Sequence, residues 1–206
     1  MDYQLSMTAA ALRYHEAKIV AEVFIEIGDW NLTQNQVLSE NLLQKSTSVT
    51  AKREFGEIKN RLMTLSADQL RAFTAANLTE LKYLAFLSCI KYYRLLNDFM
   101  TEVVRTKIQM FDYQILESDW ANFIESKKQH IEKIGQASET TLKKIRQVIF
   151  KMLADTGIID DIKMKIIQPP LLSREFATLV CLDNPNLLAA FLMSDTDIRK
   201  ACEECR

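Results

Sequence analysis

Residues 140–166 read TTLKKIRQVIFKMLADTGIIDDIKMKI, and this stretch decides how the chain is interpreted. Its first half predicts a helix from about Thr140 to Asp155, because apolar residues recur at steps of three and four. The predicted apolar face consists of Leu142, Ile145, Ile149 and Met152. The opposite face carries Thr140, Lys143, Lys144, Gln147 and Lys151. Since no acidic residue lies between Thr141 and Lys151, the pattern predicts a cationic helix surface.

The neighbouring residues are typical of a helix-turn-helix followed by a wing. An earlier helix is expected to open at Ser118, with a turn around Gly135 and Ser138 before the second helix. Gly157 is placed to cap the C-terminus of that second helix. The strict alternation over 162–166 then predicts a half-buried strand. A cationic helix beside a basic strand suits the phosphate backbone of a DNA duplex.

This interpretation defines a set of candidate contacts to nucleic acid. They are Thr140, Lys143, Lys144, Arg146, Gln147 and Lys151 on the second helix, and Lys163 and Lys165 on the wing. Lys52, Arg53 and Lys59 form a second candidate surface, on a helix predicted from about Val49 to Leu65. Arg146 lies nearer the apolar side, so an ion pair with Asp155 or Glu139 is its alternative role.

A purely structural interpretation, without binding, is the alternative for each surface, because the charged face of an amphipathic helix is usually only solvated. For the second surface, Glu54 and Glu57 are expected to neutralise the nearby cations under this interpretation. The order helix, turn, helix and strand favours DNA binding for the first surface, whereas the structural interpretation without binding is slightly favoured for the second.

Composition limits the fold class and the kind of partner. Of the 206 residues 48% are hydrophobic, and only four are Gly and three Pro, which favours a mainly α fold over a loop-rich one. With 26 Lys and Arg against 27 Asp and Glu, the net charge is −1. Any nucleic-acid contact must therefore come from a local patch, and we expect weak to moderate, salt-sensitive and largely sequence-independent binding.

The sequence also bears on compartment and cysteine chemistry. No basic region precedes an apolar run at the N-terminus, and no uncharged apolar stretch approaches the roughly 18 residues of a spanning helix. We therefore expect a soluble cytoplasmic protein with no membrane partner. Cys89 and Cys181 are interpreted as small buried hydrophobes. Cys202 and Cys205 form a C-x-x-C without matching ligands for zinc, so a reduced tail is expected.

The predicted organisation has three regions. Residues 1–78 form an N-terminal helical region like a helix-turn-helix, 79–116 a central helical core, and 117–206 a C-terminal region like a winged helix. The first region is expected to contain a helix from about Thr8 to Ile27, ended by Gly28, and capping boxes at Thr33 with Gln36 and at Ser66 with Gln69. The aromatic residues of the central region favour core packing over stacking on bases.

No sequence motif points to catalysis. The chain lacks the glycine-rich loops that bind nucleotide phosphates and the G-x-S-x-G turn of serine hydrolases. Its two histidines, His15 and His130, are widely separated. We therefore predict a protein that is not an enzyme and that holds no cofactor or metal ion.

Several segments, taken in order and spacing, resemble the BrxA family, accessory proteins of the BREX bacteriophage-defence systems of bacteria. These segments are Trp30 onward with Glu40-Asn41, Ser48–Ile58 leading into Arg61-Leu62, Ser118-Asp119-Trp120 with Phe123, Glu139–Arg146, and Met152-Leu153 to Gly157–Ile159. No single segment is chemically unique. Their spacing from about Tyr3 to Asp197 carries the resemblance.

The resemblance implies a mostly helical protein with winged-helix elements that binds double-stranded DNA. It also implies other BREX proteins as partners, including a methyltransferase, an ATPase and a phosphatase-like protein. The family is likened to RNA-binding antitermination proteins of the NusB type, so RNA is an alternative ligand. A helical scaffold for protein interactions, using residues 79–115, is the third alternative. The leading hypothesis is a non-catalytic, duplex-DNA-binding component of a BREX complex.

Overall fold

The computed structural model describes residues 3–7 and 11–203, and this part of the chain is mainly helical, which confirms the predicted class. No strand forms within it, and its only β pairing consists of two isolated antiparallel bridges, Gln114–Ile166 and Ile159–Ile167. The chain divides into two compact units. The N-terminal unit spans Leu12–Tyr92, and the C-terminal unit contains the described residues from Tyr93 onward with those before Leu12. The three-region division of the sequence stays a prediction.

The N-terminal unit is a bundle built around its first helix. Its helices are α1 (Tyr14–Ile27), α2 (Trp30–Ser39), α3 (Ser48–Leu62), α4 (Ala67–Ala75) and α5 (Leu78–Tyr92). Helix α1 packs against each of the other four, and α3 also packs against α5. Since α1 buries Ala17, Val20, Ala21 and Val23, it supplies much of the core of this unit.

The ends of α1 follow from backbone conformation. The helix begins at Tyr14, because Arg13 adopts a left-handed conformation with φ 51°. It ends at Gly28, as predicted, where φ is 75° and glycine avoids the strain of a side chain. The predicted start near Thr8 concerns residues 8–10, which lie outside the described residues.

The start of α2 differs from the prediction. Asp29, not Thr33, caps this helix, and its Oδ1 accepts hydrogen bonds from the backbone N–H groups of Asn31 at 2.8 Å and Leu32 at 2.9 Å. Thr33 lies one turn inside, buried, and its hydroxyl donates to the Asp29 carbonyl at 2.7 Å. The predicted capping box at Thr33 with Gln36 is therefore wrong. The box of Ser66 with Gln69 is confirmed at the start of α4.

The C-terminal unit contains the remaining helices. These are α6 (Arg94–Asp98), a π-helical segment (Phe99–Val104), α7 (Arg105–Gln109), α8 (Glu117–His130), α9 (Glu132–Gly135), α10 (Glu139–Thr156), α11 (Arg174–Cys181), a 3₁₀ segment (Pro185–Phe191) and α12 (Asp195–Glu203). Phe99 lies at the centre of its aromatic core, with ring centroids 5.2 Å from Trp120, 5.3 Å from Phe123 and 5.9 Å from Phe150. This cluster joins the π-helical segment to α8 and α10.

The helical pattern predicted from Thr79 to Ile115 is interrupted. Tyr93 adopts an extended conformation between α5 and α6, and α7 ends at Gln109. Phe111 then takes a left-handed conformation, φ 59°, and is 82% exposed. Phe86, Tyr93 and Phe99 are buried, so the expectation of core packing holds for them but not for Phe111.

The predicted strand over 162–166 is not formed. Residues 162–164 make a turn, because Asp161 Oδ1 accepts hydrogen bonds from the backbone N–H groups of Lys163 at 2.5 Å and Met164 at 2.7 Å. Lys165 then adopts φ 53°, outside the conformation of a strand. Extended pairing begins only at Ile166 and Ile167, so the segment forms a capped turn instead of an alternating strand.

Candidate nucleic-acid interface

Helix α10 forms the predicted cationic surface and is fixed at both ends by local residues. The Ser138 hydroxyl oxygen accepts a hydrogen bond from the Thr141 N–H at 3.2 Å, and Gly157 closes the helix with φ 84°. The predicted apolar face is confirmed, because Leu142, Ile145, Ile149 and Met152 are all buried. The side chains on the opposite face must therefore point away from the core.

The outward face of α10 presents two adjacent lysines. Lys143 and Lys144 are both exposed, and neither forms an ion pair with a residue that the structure describes. Thr140 lies one turn before them and Gln147 one turn after, and both are exposed. This face offers two charges and two hydrogen-bonding groups, and no described carboxylate forms an ion pair with either lysine.

The other cations predicted on α10 are paired. Lys151 Nζ lies 3.5 Å from Asp155 Oδ1, one helical turn away. Arg146 binds Glu117 at the start of α8, and not Asp155 or Glu139. Because its side chain is only 31% exposed, Arg146 lies at the edge of the outward face.

The two lysines of the 158–167 loop differ in their surroundings. Lys163 is exposed on the turn. Lys165 Nζ lies 2.9 Å from Glu117 Oε1 and 5.4 Å from the centre of the Phe150 ring, and its side chain is 13% exposed. The hydrogen bond from Lys165, together with the charge of Arg146, lowers the pKa of Glu117. Lys165 is therefore directed toward Glu117 and Phe150, whereas Lys163 faces solvent.

The second predicted surface lies on α3 in the N-terminal unit. Lys52 and Arg53 are exposed there, and Lys59 is half-buried. Glu54 was expected to neutralise them, but it is buried and pairs with Arg13 and with Lys45, whose Nζ lies 3.0 Å from Glu54 Oε2. The charge of Glu54 is therefore compensated by cations inside the N-terminal unit.

Glu57, the other acidic residue expected to neutralise this surface, is directed toward Arg61. Its Oε1 lies 3.6 Å from the guanidinium of Arg61, which is itself buried. Burial raises the pKa of Glu57, although the charge of Arg61 opposes this effect. Neither acid therefore forms an ion pair with Lys52 or Arg53 among the described residues.

A polar cluster in the C-terminal unit was not predicted from the sequence. Lys127 Nζ lies 2.8 Å from Asp98 Oδ2 and 2.6 Å from Glu102 Oε1, and the Tyr3 hydroxyl donates to the same oxygen of Asp98. Burial disfavours the charged form of Lys127, but the two carboxylates outweigh it and raise the pKa of Lys127. The cluster borders a groove of about 740 Å³ beside α8 and α9. Its members are too far apart in sequence to form a motif.

Two further findings concern metal ions and membranes. Within residues 3–7 and 11–203, no group of three or more His, Cys, Asp or Glu side chains could hold a metal ion. In the same described ranges, none of the helices combines the length and apolar character that crossing a membrane requires.

Comparison with known proteins identifies the family. The sequence model of BrxA matches residues 1–181. The chain belongs to the BrxA family. This confirms the resemblance found in the order and spacing of the sequence segments. The match ends at Cys181, so α12 lies beyond the matched region.

Three relatives carry the name BREX protein BrxA. The one from Escherichia coli O9:H4 (strain HS) is 26% identical over 157 residues, which cover 76% of this chain and 74% of the relative. The one from Paramagnetospirillum magneticum (strain ATCC 700264 / AMB-1) is 24% identical over 161 residues, covering 78% and 81%. The one from Bacillus cereus (strain H3081.97) is 27% identical over 141 residues, covering 68% and 70%.

A solved structure shares the fold. The crystal structure of an uncharacterized protein from Magnetospirillum magneticum aligns with a TM-score of 0.81, covering 93% of this BrxA chain and 98% of that chain. Sequence identity in this alignment is 20%. The likeness therefore concerns the fold alone.

Proposed function

We propose that this BrxA chain is a non-catalytic, double-stranded-DNA-binding component of a BREX phage-defence system. The observation that carries the proposal is the exposed pair Lys143 and Lys144 on α10, which no described carboxylate neutralises. Phosphate contacts from such lysines supply most of the affinity in sequence-independent binding. The name BREX protein BrxA of three relatives supports the defence context and other BREX proteins as partners.

In the proposed complex, α8 and α10 act as a helix-turn-helix, and the 158–167 loop takes the place of a wing. Lys143 and Lys144 contact phosphates beside the major groove, while Thr140 and Gln147 reach phosphates or base edges. Lys163 contacts the flanking backbone. Arg146 and Lys165 can contribute only when they are released from Glu117, and Lys151 only when released from Asp155.

A second proposed contact comes from Lys52, Arg53 and Lys59 on α3. Lys52 and Arg53 are exposed at the N-terminal half of the helix, where Thr47 provides the cap. This contact is proposed to be subsidiary, because binding by the α10 face does not depend on it. Charge reversal at Lys52 and Arg53 should then weaken binding less than the same change at Lys143 and Lys144.

The test is a binding titration against a random-sequence DNA duplex and a structured RNA of matched length, at two salt concentrations. The variant K143E/K144E should lower duplex affinity at least about tenfold and make its salt dependence shallower by roughly two phosphate contacts. R199E/K200E is the matched control, because these adjacent cations of α12 are also exposed and the change in net charge is identical. The control should bind as the unmodified chain does.

The other outcomes lead to different functions. Tighter binding to RNA than to the duplex would replace the proposal by the antitermination-like alternative. Absence of binding to either nucleic acid at low salt would favour a scaffold that acts through its protein partners. Equal loss in K143E/K144E and R199E/K200E would mean that net charge, and not the α10 face, governs binding.

A further inference from the structure

Two cysteines from different helices touch in the C-terminal unit. Cys181 is the last residue of α11, and Cys202 lies in the last turn of α12. Their sulfur atoms are 2.7 Å apart, although the residues are 21 positions apart in the sequence. A disulfide requires an S–S distance of about 2.05 Å, so a small movement of the side chains brings the two sulfurs to bonding distance.

Helix α12 packs against α11 and the 3₁₀ segment. None of its residues is buried. Its first turn is held by Arg105, whose guanidinium lies 2.6 Å from Asp195 Oδ1 and whose Nε donates to the Met193 carbonyl at 2.9 Å. The Cys181–Cys202 contact lies at the opposite end of the helix. A covalent bond there would therefore fasten the end that Arg105 does not hold.

We propose that Cys181 and Cys202 form a reversible disulfide that fastens α12 to α11. The oxidant is a low-molecular-weight disulfide of the glutathione type. One cysteine thiolate attacks a sulfur of this disulfide, which releases one small thiol and leaves a mixed disulfide. The second cysteine then attacks the protein sulfur of that mixed disulfide and releases the second small thiol. Two protein thiols are oxidised and one small disulfide is reduced.

Two further cysteines make the proposal specific. Cys205 follows Cys202 by three positions, so a Cys202–Cys205 bond is the competing product. Cys89 is completely buried, and burial raises the pKa of its thiol, so it serves as an unreactive reference within the same chain. A reaction confined to Cys181 and Cys202 would therefore reflect their contact and not general thiol oxidation.

The experiment uses the full chain equilibrated in glutathione buffers of increasing oxidised fraction, quenched with an alkylating reagent and digested with trypsin. Trypsin places Cys181 in peptide 175–199, and both Cys202 and Cys205 in peptide 201–206. The expected product is a disulfide that links these two peptides. It should form in the unmodified chain and in C205S, and be absent from C181S and C202S.

Limited proteolysis measures the effect on the helix. Because the bond would close a loop of about 20 residues, tryptic cleavage of the folded chain after Arg199 and Lys200 should slow at least roughly tenfold on oxidation. C181S should show no such change. A Cys202–Cys205 bond alone, a link that persists in C202S, or an unlinked 175–199 peptide at the most oxidising ratio would overturn the proposal.

Discussion

Lys165 donates a hydrogen bond to Glu117, with 2.9 Å between Nζ and Oε1, although the two residues are 48 positions apart in the sequence. The same carboxylate binds Arg146 on α10. One acidic residue at the start of α8 therefore holds two of the cations predicted to contact nucleic acid. Under the proposed function, Glu117 limits the charge that the α10 surface offers to a phosphate backbone.

Replacing Glu117 by Gln should strengthen nucleic-acid binding. The change leaves Arg146 and Lys165 without their carboxylate, so two more cations become available to phosphates. We expect duplex affinity at low salt to rise severalfold, and the slope of log affinity against log salt to steepen by up to about 1.8. Fluorescence anisotropy of a labelled duplex, measured over a series of salt concentrations, gives both quantities.

E125Q is the matched control for this substitution. Glu125 lies on the same helix, is exposed, and binds only Lys128, at 3.3 Å, among the described residues. The E125Q substitution removes the same charge as E117Q without releasing Arg146 or Lys165. If E117Q and E125Q gave the same affinity and the same slope, release of these two cations would have no role in binding.

Phe99 and Phe111 should respond in opposite ways to truncation. Phe99 is completely buried among Trp120, Phe123 and Phe150, so F99A should lower the free energy of unfolding by about 3–5 kcal/mol. Phe111 is 82% exposed, so F111A should change it by less than about 0.5 kcal/mol. Urea unfolding followed by Trp120 fluorescence in a W30F background measures both. A similar cost for both variants would contradict the aromatic core.

The Asp161 carboxylate, which caps the turn at 161–164, should titrate at acidic pH. Hydrogen bonds from the Met164 and Lys163 N–H groups hold the pKa of Asp161 below its ordinary value of about 3.9. At a pH above the ordinary pKa, the ionised carboxylate therefore stabilises the folded turn. This contribution is lost as the pH falls through the lowered pKa. The amide proton shifts of Lys163 and Met164 should follow that titration by NMR. D161N should abolish it, and a midpoint at or above the ordinary value would contradict the capped turn.

Much of the candidate site could be predicted because its determinants are local. The apolar spacing of α10 from Leu142 to Met152 specifies a helix face, and Ser138 and Gly157 cap its ends within the same short stretch. The outward placement of Lys143 and Lys144 follows directly from that periodicity. The sequence pattern was sufficient for α10, because the residues that cap this helix and those that form its apolar face lie in one continuous stretch of sequence.

The wing could not be predicted correctly, because two local signals compete. The alternation of Ile162, Met164 and Ile166 is typical of a strand, but the Asp161 side chain offers its carboxylate to the nearby N–H groups and favours a turn. A similar choice between two local signals arises at the start of α2, where Asp29 and not Thr33 caps the helix. At the wing, Ile162 and Met164 are exposed, so no burial of the alternating face offsets the turn that Asp161 caps.

The ion pairs are the part that sequence reasoning missed most completely. Arg146 was assigned an acid on its own helix as the alternative partner, whereas its partner lies 29 positions earlier, on α8. The acids on α3 were assigned to the surface, whereas Glu54 is buried against Arg13 and Lys45. Charges attract any partner that the fold brings near, so separation in sequence carries little information about pairing.

The buried pairing of Glu54 should be needed for the stability of the N-terminal unit. Glu54 is 7% exposed and lies between two cations whose side chains are only 19% and 21% exposed, those of Arg13 and Lys45. In E54Q the two poorly solvated cations would share Glu16 as their counter-charge among the described residues, at 3.7 Å from Arg13 and 3.2 Å from Lys45, so we expect a loss of about 2 kcal/mol in the free energy of unfolding. Urea unfolding followed by Trp30 fluorescence in a W120F background measures it.

E22Q provides the comparison for E54Q. Glu22 pairs with Lys18 across one turn of α1 at 3.8 Å, and the side chains of Lys18 and Glu22 are 31% and 40% exposed, so this substitution should cost less than about 0.5 kcal/mol. The difference between the two variants isolates the effect of burial, since each loses one carboxylate charge within the same unit. Equal costs would mean that Glu54 gains nothing from its enclosed position, and that Glu16 and solvent are enough to stabilise Arg13 and Lys45.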